Sequence, residues 1–302
     1  MRVLISGVTG FIGGRLAEVL TAAGHEVWGL SRDPDGARRQ VPQLGDAFAW
    51  NPTVQQPPGS AFEGVDAVVH LAGESVSGRW TEKKKQRIRD SRILGTRNLV
   101  KSFEAANRPA TLVGSSAIGY YGDRGDTELT EDLAPGDDFL AEVCQEWEAE
   151  TQRAERFGVR VVIVRTGIVL GADGGALEAM LPPFKMGVGG PMGSGQQWWS
   201  WIHRDDLVSI MQRAAEDDGM RGVYNGTAPD PKRQKEFGKV LGGVLKRPAF
   251  MPTPAFALKL ILGGFSSELL SSKRVVPQRL QEEGFEFRHP GLEDALRTAL
   301  GK

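Results

Sequence analysis

A strand, a glycine turn and a helix start follow one another within the first twenty residues, and no other feature limits the folding of this chain as strongly. Arg2-Val-Leu-Ile5 is a short strand-like run, and Ser6 and Gly7 follow at once. The segment Gly7-Val-Thr-Gly10-Phe-Ile-Gly13 then passes into Leu16, Val19 and Leu20 at helical spacing. Glycines permit a tight turn and let a ligand approach the backbone. The helix start offers unbonded N–H groups and a partial positive charge, and the two together suit a pyrophosphate. The spacing is G-x-x-G-x-x-G rather than G-x-G-x-x-G. The weight of the signal comes from its context, directly after a strand and directly before a helix.

The next strand-like run, His25-Glu-Val-Trp-Gly-Leu-Ser-Arg32, reads as the second strand of a βαβ unit. A site for NAD places Asp or Glu near this point, to accept hydrogen bonds from the adenosine ribose. Here the positions hold Ser31 and Arg32. A guanidinium suits a ribose 2′-phosphate and stacks on an adenine face. The expectation is therefore NADP(H) rather than NAD(H), although Asp33 follows directly and Arg32 could be a solvated loop charge.

Further strand-like runs at 66–72, 111–115 and 160–165 alternate with helical patterns near 11–23, 82–106 and 138–157. Asp66-Ala-Val-Val-His-Leu-Ala72 and Arg160-Val-Val-Ile-Val-Arg165 are β-branched and nearly continuously apolar, as strands covered on both faces are. This order predicts a doubly wound parallel sheet, an α/β Rossmann architecture. The stretch 34–63 reads as irregular, with one short strand near Ala47–Trp50. Beyond residue 170 the pattern changes to a glycine loop at 187–195, an aromatic run containing Trp198, Trp199 and Trp201, and short helices broken by Pro248, Pro252 and Pro254. The domain expectation is 1–170 for the nucleotide-binding domain, with part of 196–228 returning to it. Residues 171–302 form a smaller, mostly helical lobe with a C-terminal module from about 248 to 302.

Composition removes several function classes. With 302 residues, 25% of them charged and a net charge of −1, nothing advertises nucleic acid. A single cysteine, Cys144, excludes an internal disulfide and a cysteine-based metal site, and His25, His70, His203 and His289 show no H-x-x-x-H spacing. No metal is expected. The start has no signal-peptide pattern, and the late apolar stretch 255–265 is too short for a bilayer span and carries Lys259. The expected setting is cytoplasmic, without nucleic-acid or membrane partners.

Several separated motifs point to one family. They include Ile5 to Gly13, His70-Leu-Ala-Gly-Glu74, Ser91-Arg92, Ser115-Ser-Ala-Ile-Gly-Tyr-Tyr-Gly122 and Trp147-Glu148. Arg165 to Gly171, Gly189 to Gly195, Trp201 to Leu207, Tyr224-Asn225 and Pro277 continue the series in order. The chain resembles the extended short-chain dehydrogenase/reductase superfamily, and within it the atypical epimerase-family branch with a C-terminal domain of unknown function. The resemblance implies that Gly7, Thr9, Gly10, Phe11, Ile12 and Gly13 surround the pyrophosphate and that Ser31 and Arg32 meet the 2′-phosphate. It further implies that Leu71, Ala72, Gly73, Glu74 and Arg79 line the cofactor groove, with Ile168, Ser115 and Ser116 near the nicotinamide. A homodimer through the 82–106 and 138–157 helices is implied by the same analogy.

One part of the superfamily pattern is missing. Its members reduce carbonyls with a serine, a tyrosine that transfers the proton, and a lysine four residues later that lowers the tyrosine pKa and binds the nicotinamide ribose. The corresponding helix, Asp138 to Glu148, contains neither Tyr nor Lys. The pair is replaced by Phe139 and Val143, or by Leu140 and Cys144. Ser115, Ser116 and Tyr121 are the candidate catalytic residues, with Tyr120 as an alternative to Tyr121. Cys144 and His70 read as structural, His203 as an anchor between lobes, and Glu142 and Glu148 as solvated or helix-pairing charges. The tryptophans either line a substrate pocket or wedge the lobes, and the 187–195 loop reads as a flap over the cofactor. The expected function is that of an NADP(H)-binding, epimerase-like oxidoreductase acting on a small carbonyl or alcohol. The alternatives are a non-catalytic NADP(H)-binding redox sensor and, third, a nucleotide-sugar epimerase or dehydratase.

Overall fold

Seven parallel strands form the centre of the protein, whose computed structural model describes residues 1–104 and 108–302. They are β1 (Arg2–Ser6), β2 (Glu26–Ser31), β3 (Asp46–Ala49), β4 (Ala67–His70), β5 (Thr111–Ala117), β6 (Arg160–Thr166) and β7 (Gly222–Gly226). Their spatial order is β7-β6-β5-β4-β1-β2-β3, and every pairing is parallel. The order reverses between β1 and β4, and the carboxyl ends of such strands open a crevice there.

The helices are α1 (Phe11–Ala22), α2 (Pro34–Gln40), α3 (Glu82–Lys101), α4 (Phe139–Gln152), α5 (Gly175–Lys185) and α6 (Arg204–Glu216), followed by α7 (Gln234–Leu245), α8 (Ala255–Leu262), α9 (Phe265–Leu270), α10 (Gln278–Glu282) and α11 (Leu292–Ala299). Alternation along each strand sends Ile5, Val69, Val113 and Val164 to one face, against Leu16 and Leu20 of α1 and Leu207 and Ile210 of α6. Leu4, Val68, Leu112 and Ile163 go to the other face, against Leu99 and Val100 of α3. Each fully buried aliphatic side chain stabilises the fold by roughly 1.5–3 kcal/mol, so both faces hold the sheet firmly under the crevice. Thr81 caps α3 and Asp138 caps α4, each accepting a backbone N–H from the first turn.

Where the sequence reads as irregular, at 34–63, the structure has α2 as well as the short β3. Asp33 caps α2 by accepting from Gly36 N at 2.9 Å, and Pro34 occupies the first helical position, where its missing N–H does no harm. The helix expected over 82–106 ends at Lys101 and continues as a tighter turn over Ser102–Glu104; its last two expected residues lie outside the described residues.

The second lobe has its own core, in which Leu177, Leu181 and Phe184 of α5 meet Trp199, Trp201, Phe237, Leu241 and Leu296. Trp201 is fully buried with its indole N–H on Asp230 O, and Trp199 packs on Phe237, so these two fill the core of this region. The 187–195 segment is tied down by Gly193 N to Thr253 O and by Met251 N to Gly189 O. Among the described residues no helix is long and apolar enough to cross a membrane.

Candidate functional site

The crevice holds a groove of about 780 Å³ at the carboxyl ends of β1, β2 and β4. Gly7, Thr9, Gly10, Ser31, Arg32, Leu71, Ala72, Gly73 and Glu74 all line it. Two glycines show why the turn is built as it is. Gly7 has φ +72°, and a Cβ there would lie 3.0 Å from the Ala72 backbone nitrogen. A Cβ on Gly13 would lie 2.3 Å from Gly7 O, closer than any real contact. The turn therefore presses against the end of β4 and against its own helix, leaving the space above it free. Gly10 caps α1 without a side-chain bond and the first turn carries no acidic residue, so the opening N–H groups of Phe11, Ile12 and Gly13 remain available to an anion. This cradle fits a pyrophosphate.

Beneath the groove a buried chain of hydrogen bonds fixes its floor. Ser6 Oγ accepts from Leu71 N at 3.1 Å and Ala72 N at 3.2 Å, so its proton goes to His70 Nδ1 at 2.6 Å. His70 Nε2 then donates to Thr96 at 3.0 Å. Burial holds the His70 pKa down at about 4, so the ring is a neutral tie between β1, β4 and α3.

The walls include residues that the motifs do not point to: Asp33, Gln40, Trp50, Asn51, Pro52, Thr53, Arg87 and Asp90. Most belong to α2 and to the segment after β3, where the sequence carries no recognisable pattern. Arg32 is exposed on one wall, and Glu74 faces it with a carboxyl held below its ordinary range by Lys84 at 2.7 Å and by Arg87. Asp33 lines the groove as well, but its carboxylate serves as the cap of α2.

For Phe11, Ile12 and Gly13 it is the backbone N–H groups, not the side chains, that face the cradle. The Phe11 ring points away, packed on Gly171 and Gly174 with the Arg204 guanidinium 4.8 Å from its centroid, and Ile12 joins the sheet core. Gly13 is buried in α1. Arg79 is exposed with its stem against Gly263, and Ile168 is half-buried against the core around Leu170 and Trp201.

The catalytic candidates are also redistributed. Tyr121 is fully buried; its hydroxyl donates to Asn225 Oδ1 at 2.7 Å and accepts from Arg165, and burial raises its pKa to about 12. It is a structural phenol, which corrects the expectation of a proton donor. Ser116 is buried and donates to Glu148 Oε1 at 2.6 Å. Glu148 is not solvated: Arg165 grips it with Nε on Oε1 and NH2 on Oε2, both at 2.9 Å, while both side chains are buried. Ser115 points to the opposite face of β5 and is half-buried, and its hydroxyl has no hydrogen-bond partner among the described residues. Tyr120 is half-buried, its ring 3.3 Å below the Arg165 guanidinium carbon. Cys144 is buried with its thiol pKa pushed up to about 12, which removes it as a nucleophile.

His203, Asp205 and His289 bring one ligand atom each within 4.8 Å of one another, a grouping that no local spacing reveals. The Asp205 carboxylate is engaged by Arg15 at 2.8 Å, and His203 Nδ1 accepts the Asp205 N–H at the start of α6. The Arg15 pair anchors α6 to α1, and Asp206 ties α6 to the 288–289 segment by accepting from Arg288 N at 2.8 Å and His289 N at 3.0 Å.

A doubly wound sheet with this glycine cradle defines a dinucleotide-binding class of protein. Residues 3–225 match the model of the NAD dependent epimerase/dehydratase family, and residues 253–299 match a domain of unknown function, DUF1731. The chain belongs to the NAD dependent epimerase/dehydratase family. It is 42% identical over 310 residues to the Arabidopsis thaliana epimerase family protein SDR39U1 homolog, chloroplastic, covering 99% of this chain and 87% of that one. It is 39% identical to the epimerase family protein YfhF of Bacillus subtilis, covering 99% and 98%. The crystal structure of human epimerase family protein SDR39U1 (isoform 2) with NADPH superposes with a TM-score of 0.89 at 36% identity over the whole of both chains.

Proposed function

We propose that this protein binds NADP(H) and is an epimerase-like oxidoreductase for a small carbonyl or alcohol. The observation that carries the cofactor reading is the Arg32 guanidinium exposed on the groove wall at the end of β2, beside an Asp33 that caps α2 through Oδ1. One oxygen of the carboxylate at the end of β2, Asp33 Oδ1, is spent on the helix cap, and a guanidinium stands where a 2′-phosphate would lie. The solved human relative carries NADPH, which supports the same reading.

When bound, the cofactor supplies or accepts a hydride at its nicotinamide. The chain's part is to orient the reactants and to manage the proton. Ser115 offers a hydroxyl with no partner among the described residues, and it sits at the carboxyl end of β5, where an oxyanion is to be met. Tyr120 takes over from Tyr121 as the candidate donor, because its ring lies against the Arg165 cation and its neighbour's hydroxyl is already engaged.

A second reading has its own observation. Leu140 and Cys144 face the turn after β5 from α4, the place of the superfamily's tyrosine and lysine, and neither transfers a proton. A non-catalytic NADP(H) sensor fits that arrangement. We place the protein without nucleic-acid or membrane partners, in the cytoplasm, and as a homodimer through α3 and α4.

Titrating NADPH and NADH into the wild type and Arg32→Ala tests the cofactor reading. NADPH is expected to bind at least about 10-fold tighter than NADH, and the variant to lose that preference. Equal affinities in the wild type would end the reading. Screening carbonyls for NADPH oxidation separates the two functions: turnover abolished by Ser115→Ala supports the enzyme, and binding without turnover across the screen supports the sensor.

A further inference from the structure

Among the described residues, the Arg92 guanidinium bonds only backbone carbonyls: NH1 donates to Glu74 O at 3.0 Å and to Ile88 O at 3.1 Å. Among the described residues it forms no ion pair, and the Glu74 carboxylate is taken by Lys84 at 2.7 Å. Nε and NH2 therefore keep three N–H donors unspent. They are not sealed in, since Arg92 is only half-buried and is absent from the buried polar groups lacking partners.

The guanidinium is nonetheless held in place. It lies across Gly73, where a Cβ would sit 3.6 Å from Cζ and 3.7 Å from NH1 and NH2. On another side the Trp147 ring of α4 has its centroid 5.1 Å from Cζ. Neighbouring Ser91 accepts from Glu74 N at 2.9 Å, which fastens α3 to the segment after β4. Gly73, Glu74 and Ser91 all line the groove. Of the two alignments of the missing pair, Leu140 and Cys144 face the end of β5: a Cβ on Gly119 would lie 3.2 Å from Leu140 Cβ and 3.9 Å from Cys144 Sγ. Trp147 lies three residues along α4 from Cys144, so the cation over its ring stands on the helix face that carries the position of the absent lysine. Burial lowers the Arg92 pKa from its ordinary value, and a guanidinium still remains charged.

Topology indicates what those donors meet. Arg32 follows β2, the glycine turn follows β1, Gly73 follows β4, and Ser115 lies in the carboxyl half of β5, in the spatial order β2-β1-β4-β5. A dinucleotide with its adenosine over β2 and its pyrophosphate over β1 carries its second ribose toward β4 and β5. We infer that Arg92 replaces the family's lysine as the fixed cation of the groove, donating from Nε and NH2 to the hydroxyls of the nicotinamide-side ribose. The inference rests on the NADP(H) reading above and names a residue that reading does not use.

The test compares two ligands on Arg92→Gln: NADPH, and adenosine 2′,5′-bisphosphate, which lacks the second ribose. The expected result is an NADPH affinity about 10-fold weaker with the bisphosphate affinity unchanged, as loss of a charge-assisted hydrogen bond gives. Unchanged binding of NADPH would overturn the inference. So would equal weakening of both ligands, which would show that Arg92 only supports the groove. Failure of the wild type to bind the bisphosphate would instead overturn the reading of the groove, and this assignment with it.

Discussion

The Arg165 guanidinium and the Glu148 carboxylate form a two-pronged pair under the ends of β5 and β6, Nε to Oε1 and NH2 to Oε2, each at 2.9 Å and with both side chains almost free of solvent. Ser116 adds a third bond to Oε1, and the rings of Tyr120 and Tyr121 lie beside the guanidinium. The polar groups that a dehydrogenase would spend on proton transfer are here largely spent on each other.

Breaking this pair from one side leaves a buried charge without its partner. Arg165→Met is expected to destabilise the fold by about 3–5 kcal/mol, and Glu148→Gln in the same background to recover part of that loss. Urea denaturation across the double-mutant cycle measures both. A loss below about 1 kcal/mol for Arg165→Met alone would show that the pair is not sealed from water.

Tyr121→Phe removes a hydroxyl bonded to Asn225 and Arg165. Stability should fall by about 1–3 kcal/mol, with NADPH affinity unchanged. Any turnover found in the carbonyl screen should survive the substitution, and its abolition in a folded variant would restore Tyr121 as the proton donor.

Both His70 and His203 have pKa values lowered to about 4, chiefly by burial. Each is neutral when folded and titrates near its ordinary value of about 6.5 when unfolded. The unfolded chain therefore binds more protons between those values. The stabilising contribution is complete above about pH 6.5 and is lost as pH falls toward 4, by of order 3 kcal/mol per ring. Thermal melts between pH 7 and 4 should show this decline, with a shallower slope in a folded His70→Gln variant. An equal slope in that variant would remove His70 from the account.

Asp33→Ala deletes the cap of α2. Helix and protein stability should drop by about 1 kcal/mol while the preference for NADPH over NADH is retained. A gain or loss in NADH affinity specifically would mean that the carboxylate meets the ribose after all.

Much of the sheet was legible because strands covered on both faces leave long apolar runs, and Ile5, Val69 and Val164 lie in such runs. The glycine turn was legible because Gly7 and Gly13 stand where no side chain fits. Helix α2 was passed over because seven residues give too little periodicity, although Asp33 followed by Pro34 is a start signal in its own right. Glu148 reads as a surface charge because helix spacing alone cannot show that Arg165, 17 residues away on β6, will fold beneath it. The groove wall from Trp50 to Thr53 comes from a segment with no repeat, and only the pairing of β3 with β2 brings it beside Arg32.

The most direct measurement is a crystal structure grown with NADPH. The account predicts the pyrophosphate on the first N–H groups of α1 and the 2′-phosphate within hydrogen-bond distance of Arg32, with Asp33 still bonded to Gly36. A dinucleotide bound outside this groove, or a 2′-phosphate turned to solvent away from Arg32, would contradict it.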